Sequence, residues 1–317
     1  MDALVSGAGV DIAVRDFGGH GRNVLLLHGA GNTLVDMAPL ASHLVDHYRV
    51  VGADLRNHGL SGDGPWAWDA VLADLRSVVD TVGMANPIVV GHSLGGMLAS
   101  MYARRYADCA AAVNLDGHGP GTRDQYDLAP SEVDRLRERL DVVTDESLRA
   151  LAQPRTRDAL SAAREGWVAA ALALGLSPAL AAEAFDRKLV AHGDETFITR
   201  PLPERLSEMR AAVESLDVAQ LYRHSDVPQL VYVATRDRPD VSLPAELRRL
   251  MAARQSWLIR ELHIIAAANP KVSVLEIDAT HGLIYEQPQL IAEQVHRFVD
   301  GVDAHVVTSA NNTAGRG

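Results

Sequence analysis

The chain changes from strand to helix within ten residues, Pro87-Ile88-Val89-Val90-Gly91-His92-Ser93-Leu94-Gly95-Gly96. Apolar, β-branched residues after a proline predict a buried strand, and the residues that follow Ser93 have helical spacing. The junction reads Gly-x-Ser-x-Gly. Small neighbours permit the strained backbone of so sharp a turn, which holds the serine hydroxyl clear of the sheet edge. The stretch therefore predicts Ser93 as a nucleophile.

Two stretches supply amides for the negative charge that develops when a serine attacks a carbonyl group. The predicted helix points its free N–H groups toward that charge, so the amide of Leu94 is one predicted donor. The other stretch is His28-Gly29-Ala30, directly after a buried strand at 23–27, where glycine lets the backbone approach a ligand closely. We predict that the amide of Ala30 is the second donor and that His28 and Gly29 bind substrate.

A serine hydroxyl needs a base that takes its proton during attack, and histidine has the right proton affinity. Of thirteen histidines, His281 directly follows the last predicted strand, at the same sheet edge as Ser93. A carboxylate must then orient the imidazole. Asp237 follows the penultimate strand and completes the chain order serine, aspartate, histidine, so it is the predicted acid. Asp116, after the strand that follows the nucleophile helix, ranks second, and Asp240 ranks third.

The composition excludes several classes of protein. The 317 residues include 30 basic and 41 acidic ones, and the formal charge of −11 disfavours binding to nucleic acid or to an anionic membrane surface. The single cysteine, Cys109, excludes an internal disulfide and a cysteine-based zinc cluster. Because metalloprotease and nucleotide-binding motifs are missing, we expect no metal and no cofactor. Without a signal peptide or an apolar span, we expect a cytoplasmic protein that acts on a small molecule.

The order of the predicted elements describes a parallel sheet with helices on both faces, interrupted by an insertion. Strands alternate with helices in residues 1–120 and 224–301, which form the predicted core. In residues 121–223 helical spacing replaces the strand patterns, which predicts a helical cap that acts as a lid. Residues 302–317 are small and polar, and we expect a disordered tail. Four apolar side chains of the cap are candidates for lining a substrate pocket: Trp167, Phe185, Phe197 and Met209.

These residues, in this order, resemble the α/β-hydrolase superfamily. The resemblance rests on four parts of the sequence: His28-Gly29 after the first buried strand, Asp54-Leu55-Arg56-Asn57-His58-Gly59-Leu60-Ser61 after the next one, Gly91-His92-Ser93-Leu94-Gly95-Gly96 at the strand-to-helix turn, and Asp237 and His281 after the last strands. It spans most of residues 10–299 apart from the cap. It implies an α/β fold with an eight-stranded, mostly parallel sheet. It also implies an esterase-like serine hydrolase with a catalytic triad and an oxyanion hole, which cleaves a carboxylic ester, lactone or thioester through an acyl-enzyme.

Two other functions stay open at this point. The superfamily also uses such a triad to hydrolyse a carbon–carbon bond in a diketone, or for cofactor-free peroxidation. A protein of another class, a ligand receptor on a scaffold that has lost catalysis, is the second alternative. The intact set of Ser93, Asp237 and His281 favours an enzyme.

Overall fold

The computed structural model describes residues 2–151, 153–236 and 243–314. The first part of the chain contains β1 (Asp2–Ser6), β2 (Asp11–Gly18), β3 (Arg22–Leu27), a short 3₁₀ helix (Leu34–Met37), α1 (Ala38–Leu44), β4 (Tyr48–Ala53), α2 (Trp68–Thr81), β5 (Ile88–His92), α3 (Leu94–Arg105) and β6 (Ala111–Leu115). The middle part contains α4 (Pro130–Leu151), β7 (Arg155–Thr156), α5 (Arg157–Ala173), α6 (Pro178–Asp186), β8 (Leu189–Ala191), β9 (Thr196–Thr199), α7 (Pro203–Glu214) and α8 (Val218–Arg223). The last part contains β10 (Gln229–Ala234), α9 (Ala245–Ala268), β11 (Val272–Ile277), α10 (Leu283–Glu286) and α11 (Pro288–Ala314).

Eight strands form one sheet in the order β1-β2-β4-β3-β5-β6-β10-β11. Strand β2 runs antiparallel to both of its neighbours, and the other neighbouring pairs are parallel. The predicted α/β fold with an eight-stranded, mostly parallel sheet is confirmed. None of the helices in the described ranges is both long and apolar enough to cross a membrane.

Both faces of the sheet are covered, as the side chains of β3 demonstrate. Leu25 and Leu27 pack in a cluster with residues of α2 and α3, whereas Val24 and Leu26 pack on the other face with residues of α1 and α11. Strands buried on both faces appear in a sequence as continuous apolar runs, which explains why β3 and β5 are readily predicted. The loops after these parallel strands meet at the carboxyl edge of the sheet, where ligands bind in such folds.

The insertion contains more than the predicted helices. Strands β7, β9 and β8 form a small antiparallel sheet in that order. β8 and β9 make a hairpin in which the amide of His192 donates to Thr196 O at 2.8 Å, and Gly193 has a φ of 78° in the turn. These strands are not predictable from the sequence, because two to four residues are too few for an alternating pattern to stand out.

Two boundaries differ from those expected from the sequence. Helix α8 falls within the residues expected for the cap, yet its Tyr222 packs in a cluster with Val231 and Leu262, so the core resumes before residue 224. At the other end, the sequence predicts a disordered tail from residue 302, but α11 continues to Ala314. A helix that is already formed gains one hydrogen bond for each added residue, so an anchored helix can extend through polar positions.

A buried ion pair joins the cap to the core. Asp54 follows β4 and accepts hydrogen bonds from the amides of Leu34 and Leu60, each at 2.8 Å. Arg187, at the end of α6, donates from Nε to Asp54 Oδ2 at 2.7 Å, and the two side chains are 4% and 0% exposed. Losing one partner of such a pair leaves a charge that is neither solvated nor neutralised.

We expect Arg187→Met to lower the free energy of unfolding by about 3–5 kcal/mol, because the Asp54 carboxylate stays buried without its cation. Arg164→Met is the matched control: both side chains of the Arg164–Asp186 pair are about half exposed, so its removal should leave the stability nearly unchanged. Urea titrations followed by circular dichroism measure both changes. If the two variants lose stability equally, the buried pair does not anchor the cap.

Candidate active site

Ser93 lies at the turn between β5 and α3 with a strained backbone, φ 54° and ψ −116°. Its amide donates to Leu115 O at 3.0 Å, which ties the turn to the neighbouring strand. A Cβ on Gly91 would lie 2.0 Å from Gly95 O, and one on Gly95 would lie 2.3 Å from Leu27 O. The Gly-x-Ser-x-Gly spacing is therefore required by the close approach of three backbone segments.

His281 lies at the same edge of the sheet and is tied to the turn that carries Ser93. His92 donates from Nε2 to the carbonyl oxygen of His281 at 2.7 Å, and the two imidazole rings are 4.8 Å apart. Because His92 directly precedes Ser93, this bond fixes the His281 loop beside the predicted nucleophile. Ser93 Oγ itself has no hydrogen-bond partner within the described ranges. Such catalytic contacts often tighten only when substrate binds.

Asp116 orients the imidazole of His281. Its Oδ2 lies 2.6 Å from His281 Nδ1, and its Oδ1 accepts from the amide of Ala234 at 3.0 Å. Burial raises the pKa of Asp116, but the hydrogen bond from His281 and the nearby His118 outweigh burial and bring the pKa below its ordinary value. The group therefore stays ionised, and Nδ1–H of the imidazole points at it. The other ring nitrogen, Nε2, is left as the proton acceptor.

The observed partner of His281 differs from the acid that the sequence analysis ranks first. Nδ1 carries one proton to donate, and Asp116, the second candidate, accepts it. Asp237 and Asp240 lie outside the described residues. Asp116 and Asp237 follow β6 and β10, which are neighbours in the sheet. Chain order alone cannot distinguish two carboxylates that follow adjacent strands.

The two predicted oxyanion donors lie next to Ser93. A Cβ placed on Gly29 would be 3.2 Å from Ser93 Cβ, so the loop that carries Ala30 packs directly against the nucleophile. In the part of the chain that the structure describes, the amides of Ala30 and Leu94 donate to no protein acceptor. Two free amides beside an attacking oxygen are what a tetrahedral oxyanion requires.

His28 holds this loop in place through both nitrogens of its ring. The side chain is fully buried, its Nδ1 donates to Gly29 O at 2.8 Å, and its Nε2 accepts from the amide of Leu55 at 3.0 Å. Burial lowers the pKa of His28, so the ring stays neutral with both nitrogens occupied. His28 thereby joins the oxyanion loop to the loop after β4. The binding of substrate by His28 and Gly29 stays a prediction.

A cavity of about 570 Å³ lies between the cap and the oxyanion loop, where Ala30 and Gly31 form part of its wall. Trp167 and Phe185, two of the predicted lining residues, line it. The other two predicted residues lie elsewhere: the ring of Phe197 packs under the guanidinium of Arg157, and Met209 is buried in a core cluster. The volume falls within the range of about 300–1,000 Å³ that is typical of small-molecule sites.

Four buried histidines have lowered pKa values because burial disfavours their charged form: His28, His58, His92 and His118. The pKa of His92 falls to about 4, through burial and then through the charge of His281. Throughout the described residues, no three His, Cys, Asp or Glu side chains are grouped as a metal site. The buried rings therefore act as neutral hydrogen-bonding groups.

We expect the free energy of unfolding to fall as the pH drops from about 6.5 toward 4. In that window the unfolded chain binds protons at these histidines while the folded chain does not. His92→Gln should reduce the slope, whereas the exposed His43→Gln should leave it unchanged. Thermal unfolding at several pH values measures this. A wild-type stability that does not change between pH 6.5 and 4.5 would exclude neutral buried histidines.

Comparison with known proteins identifies similar chains. A model of the alpha/beta hydrolase family matches residues 24–294. A serine hydrolase-like protein of Danio rerio is 33% identical over 118 residues, 36% of this chain and 34% of that protein. An esterase of Escherichia coli (strain K12) is 34% identical over 74 residues, 23% of this chain and 29% of that protein. The chain thus spans about a third of the length of these curated relatives.

Among solved structures, E-2-(acetamidomethylene)succinate hydrolase matches with a TM-score of 0.67 and 18% sequence identity. The match covers 95% of this chain and 99% of that one. At 18% sequence identity, this similarity shows that the two proteins share a fold.

Proposed function

Since the chain belongs to the alpha/beta hydrolase family, we propose that it is a serine hydrolase that cleaves a carboxylic ester, lactone or thioester of a small molecule. The observation that carries this proposal is the orientation of His281, which Asp116 holds at 2.6 Å while His92 fixes its backbone beside Ser93. A non-catalytic scaffold has no need for a buried, ionised carboxylate behind an imidazole at this place.

The reaction proceeds in two halves. Ser93 Oγ attacks the carbonyl carbon while His281 Nε2 takes its proton, and the charge that develops on the carbonyl oxygen is stabilised by the amides of Ala30 and Leu94. Each such donor typically contributes about 10²–10³-fold to the rate. His281 then returns the proton to the leaving alcohol or thiol, which departs and leaves an ester on Ser93. A water molecule, activated by the same imidazole, hydrolyses this ester.

Asp116 takes the role of the third member of the triad. As an anion it stabilises the imidazolium that forms during attack, and its hydrogen bond keeps the proton on Nδ1. Among the described residues, Asp116 is the carboxylate that contacts the ring, and this contact supports giving it the role predicted for Asp237.

A panel of substrates tests the reaction class. We expect turnover of p-nitrophenyl butyrate, of a butyryl thioester or of a γ-lactone. The ester and the thioester should release acid together with an equal amount of alcohol or thiol, and the lactone should open to a single hydroxy acid. A vinylogous 1,5-diketone serves as the comparison, because its cleavage breaks a carbon–carbon bond. Cleavage of the diketone without turnover of any acyl substrate would favour the second enzymatic alternative. A protein that turns over neither class and binds them reversibly would fit a receptor.

A further inference from the structure

The cavity next to the oxyanion loop is positively charged, although the chain as a whole carries a formal charge of −11. Three of its lining residues are cations, Arg155, Lys188 and Arg200, and none of the described aspartates and glutamates lines it. The rest of the wall consists of apolar, glycine, threonine and proline residues. A cavity with this lining favours a ligand that combines an apolar body with a negative charge.

Lys188 has unused hydrogen-bonding capacity. Its side chain is only 11% exposed, and its ammonium group lies 4.4 Å above the ring of Trp167. The nearest carboxylate oxygen is Asp36 Oδ2 at 3.9 Å, which is beyond hydrogen-bond distance. Asp36 Oδ2 already accepts from Thr33 at 2.7 Å. Within the described ranges, Lys188 Nζ donates no hydrogen bond, so up to three donors are available to a ligand.

Arg155 is the second cation with free donors. It is half-buried in β7, and its guanidinium makes no hydrogen bond or ion pair with the residues that the structure describes. Arg200 is different: its Nη1 donates to Gly59 O at 2.6 Å and its Nη2 pairs with Asp63. Arg200 therefore contributes to the positive potential, whereas Arg155 and Lys188 can bind an anion directly.

The net charge of the side chains around the cavity suits a ligand with one negative charge. Asp36 balances Lys188 and Asp63 balances Arg200, whereas Arg155 has no carboxylate partner among the described residues. A carboxylate, with one negative charge and two oxygens, matches this balance better than a dianionic phosphate. Because Ala30 is in the same wall, an acyl group bound at the oxyanion loop can extend to these cations.

We propose that the substrate carries a carboxylate at the end of its acyl chain, and that Lys188 and Arg155 bind this carboxylate. The natural substrate is then a monoester or monothioester of a dicarboxylic acid, or a lactone with a free carboxylate. This assignment rests on the proposed function for its chemistry, but the anion site can be tested without turnover.

The kinetic test compares two esters with one leaving group, p-nitrophenyl adipate monoester and p-nitrophenyl hexanoate. The two acyl chains have equal length and differ in a terminal carboxylate or methyl group. We expect the wild type to favour the adipate ester by about 10-fold or more in kcat/KM. Lys188→Met, which keeps an unbranched side chain but removes the ammonium group, should lower kcat/KM for the adipate ester by about 10- to 100-fold, mainly through KM. Arg155→Met should act in the same direction.

The matched control is Lys271→Met, since Lys271 is the only other lysine of the chain and is exposed. It should leave both esters unchanged, and Lys188→Met should change hydrolysis of the hexanoate ester by less than about 3-fold. If the wild type hydrolyses both esters equally well, or if Lys188→Met slows hydrolysis of both esters alike, the proposed anion site is wrong. The proposed serine hydrolase reaction is unaffected by either result.

A binding experiment separates this proposal from the catalytic one. Calorimetry with monomethyl adipate on Ser93→Ala should detect binding that Ser93→Ala/Lys188→Met weakens by about 10-fold or more. If the wild type hydrolyses neither ester but this Lys188-dependent binding persists, the proposed reaction fails and the anion site stands. Equal binding of monomethyl adipate with and without Lys188 would overturn the anion site.

Discussion

Ser93→Ala is expected to lower kcat/KM for any ester that the wild type hydrolyses by about 10⁴-fold or more, since removing the nucleophile of a triad costs up to about 10⁶-fold. The substitution removes one oxygen and leaves the amides of Ala30 and Leu94 in place. Substrate should therefore still bind, and the loss should appear in kcat. Initial rates with p-nitrophenyl esters, over the uncatalysed background, measure it.

A second serine provides the control for this variant. Ser42 is exposed in α1, so Ser42→Ala should keep activity within about 2-fold of the wild type. Ser93→Ala should unfold at nearly the same temperature as the wild type, which excludes misfolding as the cause of the loss. A Ser93→Ala protein that keeps wild-type turnover would show that another group attacks the substrate.

Asp116→Asn is expected to lower kcat by about 10³–10⁴-fold, because an amide can donate to Nδ1 and so favour the wrong tautomer of His281. In that tautomer the proton sits on Nε2, which then cannot take the proton of Ser93. The hydrogen bond from the Ala234 amide can persist to the amide oxygen, so the fold should be retained. The measurement is kcat at a pH at which the wild type is fully active.

Asp237→Asn is the comparison that distinguishes the two candidate acids. With Asp116 as the orienting carboxylate, Asp237→Asn should keep kcat within about 3-fold of the wild type. If Asp237→Asn instead lowers kcat by about 10³-fold or more while Asp116→Asn stays active, the orienting acid is Asp237, as the chain order predicts.

The core of the fold is predictable from the sequence because its strands are buried on both faces. β3 and β5 contain continuous apolar runs, and the glycines around Ser93 mark a place where backbone segments approach too closely for a side chain. The apolar runs and the glycines are each visible within a few consecutive residues of the sequence. Strand order then brings Ser93, Ala30 and His281 to one edge, as the sequence analysis expected.

The orienting acid is not predictable in the same way. Asp116 follows β6 with a φ of 59°, and it reaches the loop after β11 because β6, β10 and β11 are successive neighbours in the sheet. Neither the dihedral angle nor the pairing is encoded in a local pattern. His92 is a similar case: its bond to the carbonyl oxygen of His281 joins residues that are far apart in the chain.

The position of Lys188, the cap residue proposed to bind the anion, could not be predicted from the sequence either. Lys188 lies between α6 and β8, and its place in the cavity depends on Trp167 from α5 and on the wall that Ala30 contributes. The only sequence signal is the rarity of lysine, since Lys188 and Lys271 are the two lysines of the chain. Rarity does not show which of them faces a cavity.

The most direct test of the central claim is the reaction of the protein with a fluorophosphonate probe, followed by peptide mass spectrometry. A hydroxyl activated by an oriented imidazole should react at one position. The wild type is expected to carry the phosphonate on Ser93, and His281→Ala should slow labelling by about 10³-fold or more. Labelling at a residue other than Ser93, or at Ser93 with no dependence on His281, would contradict the account.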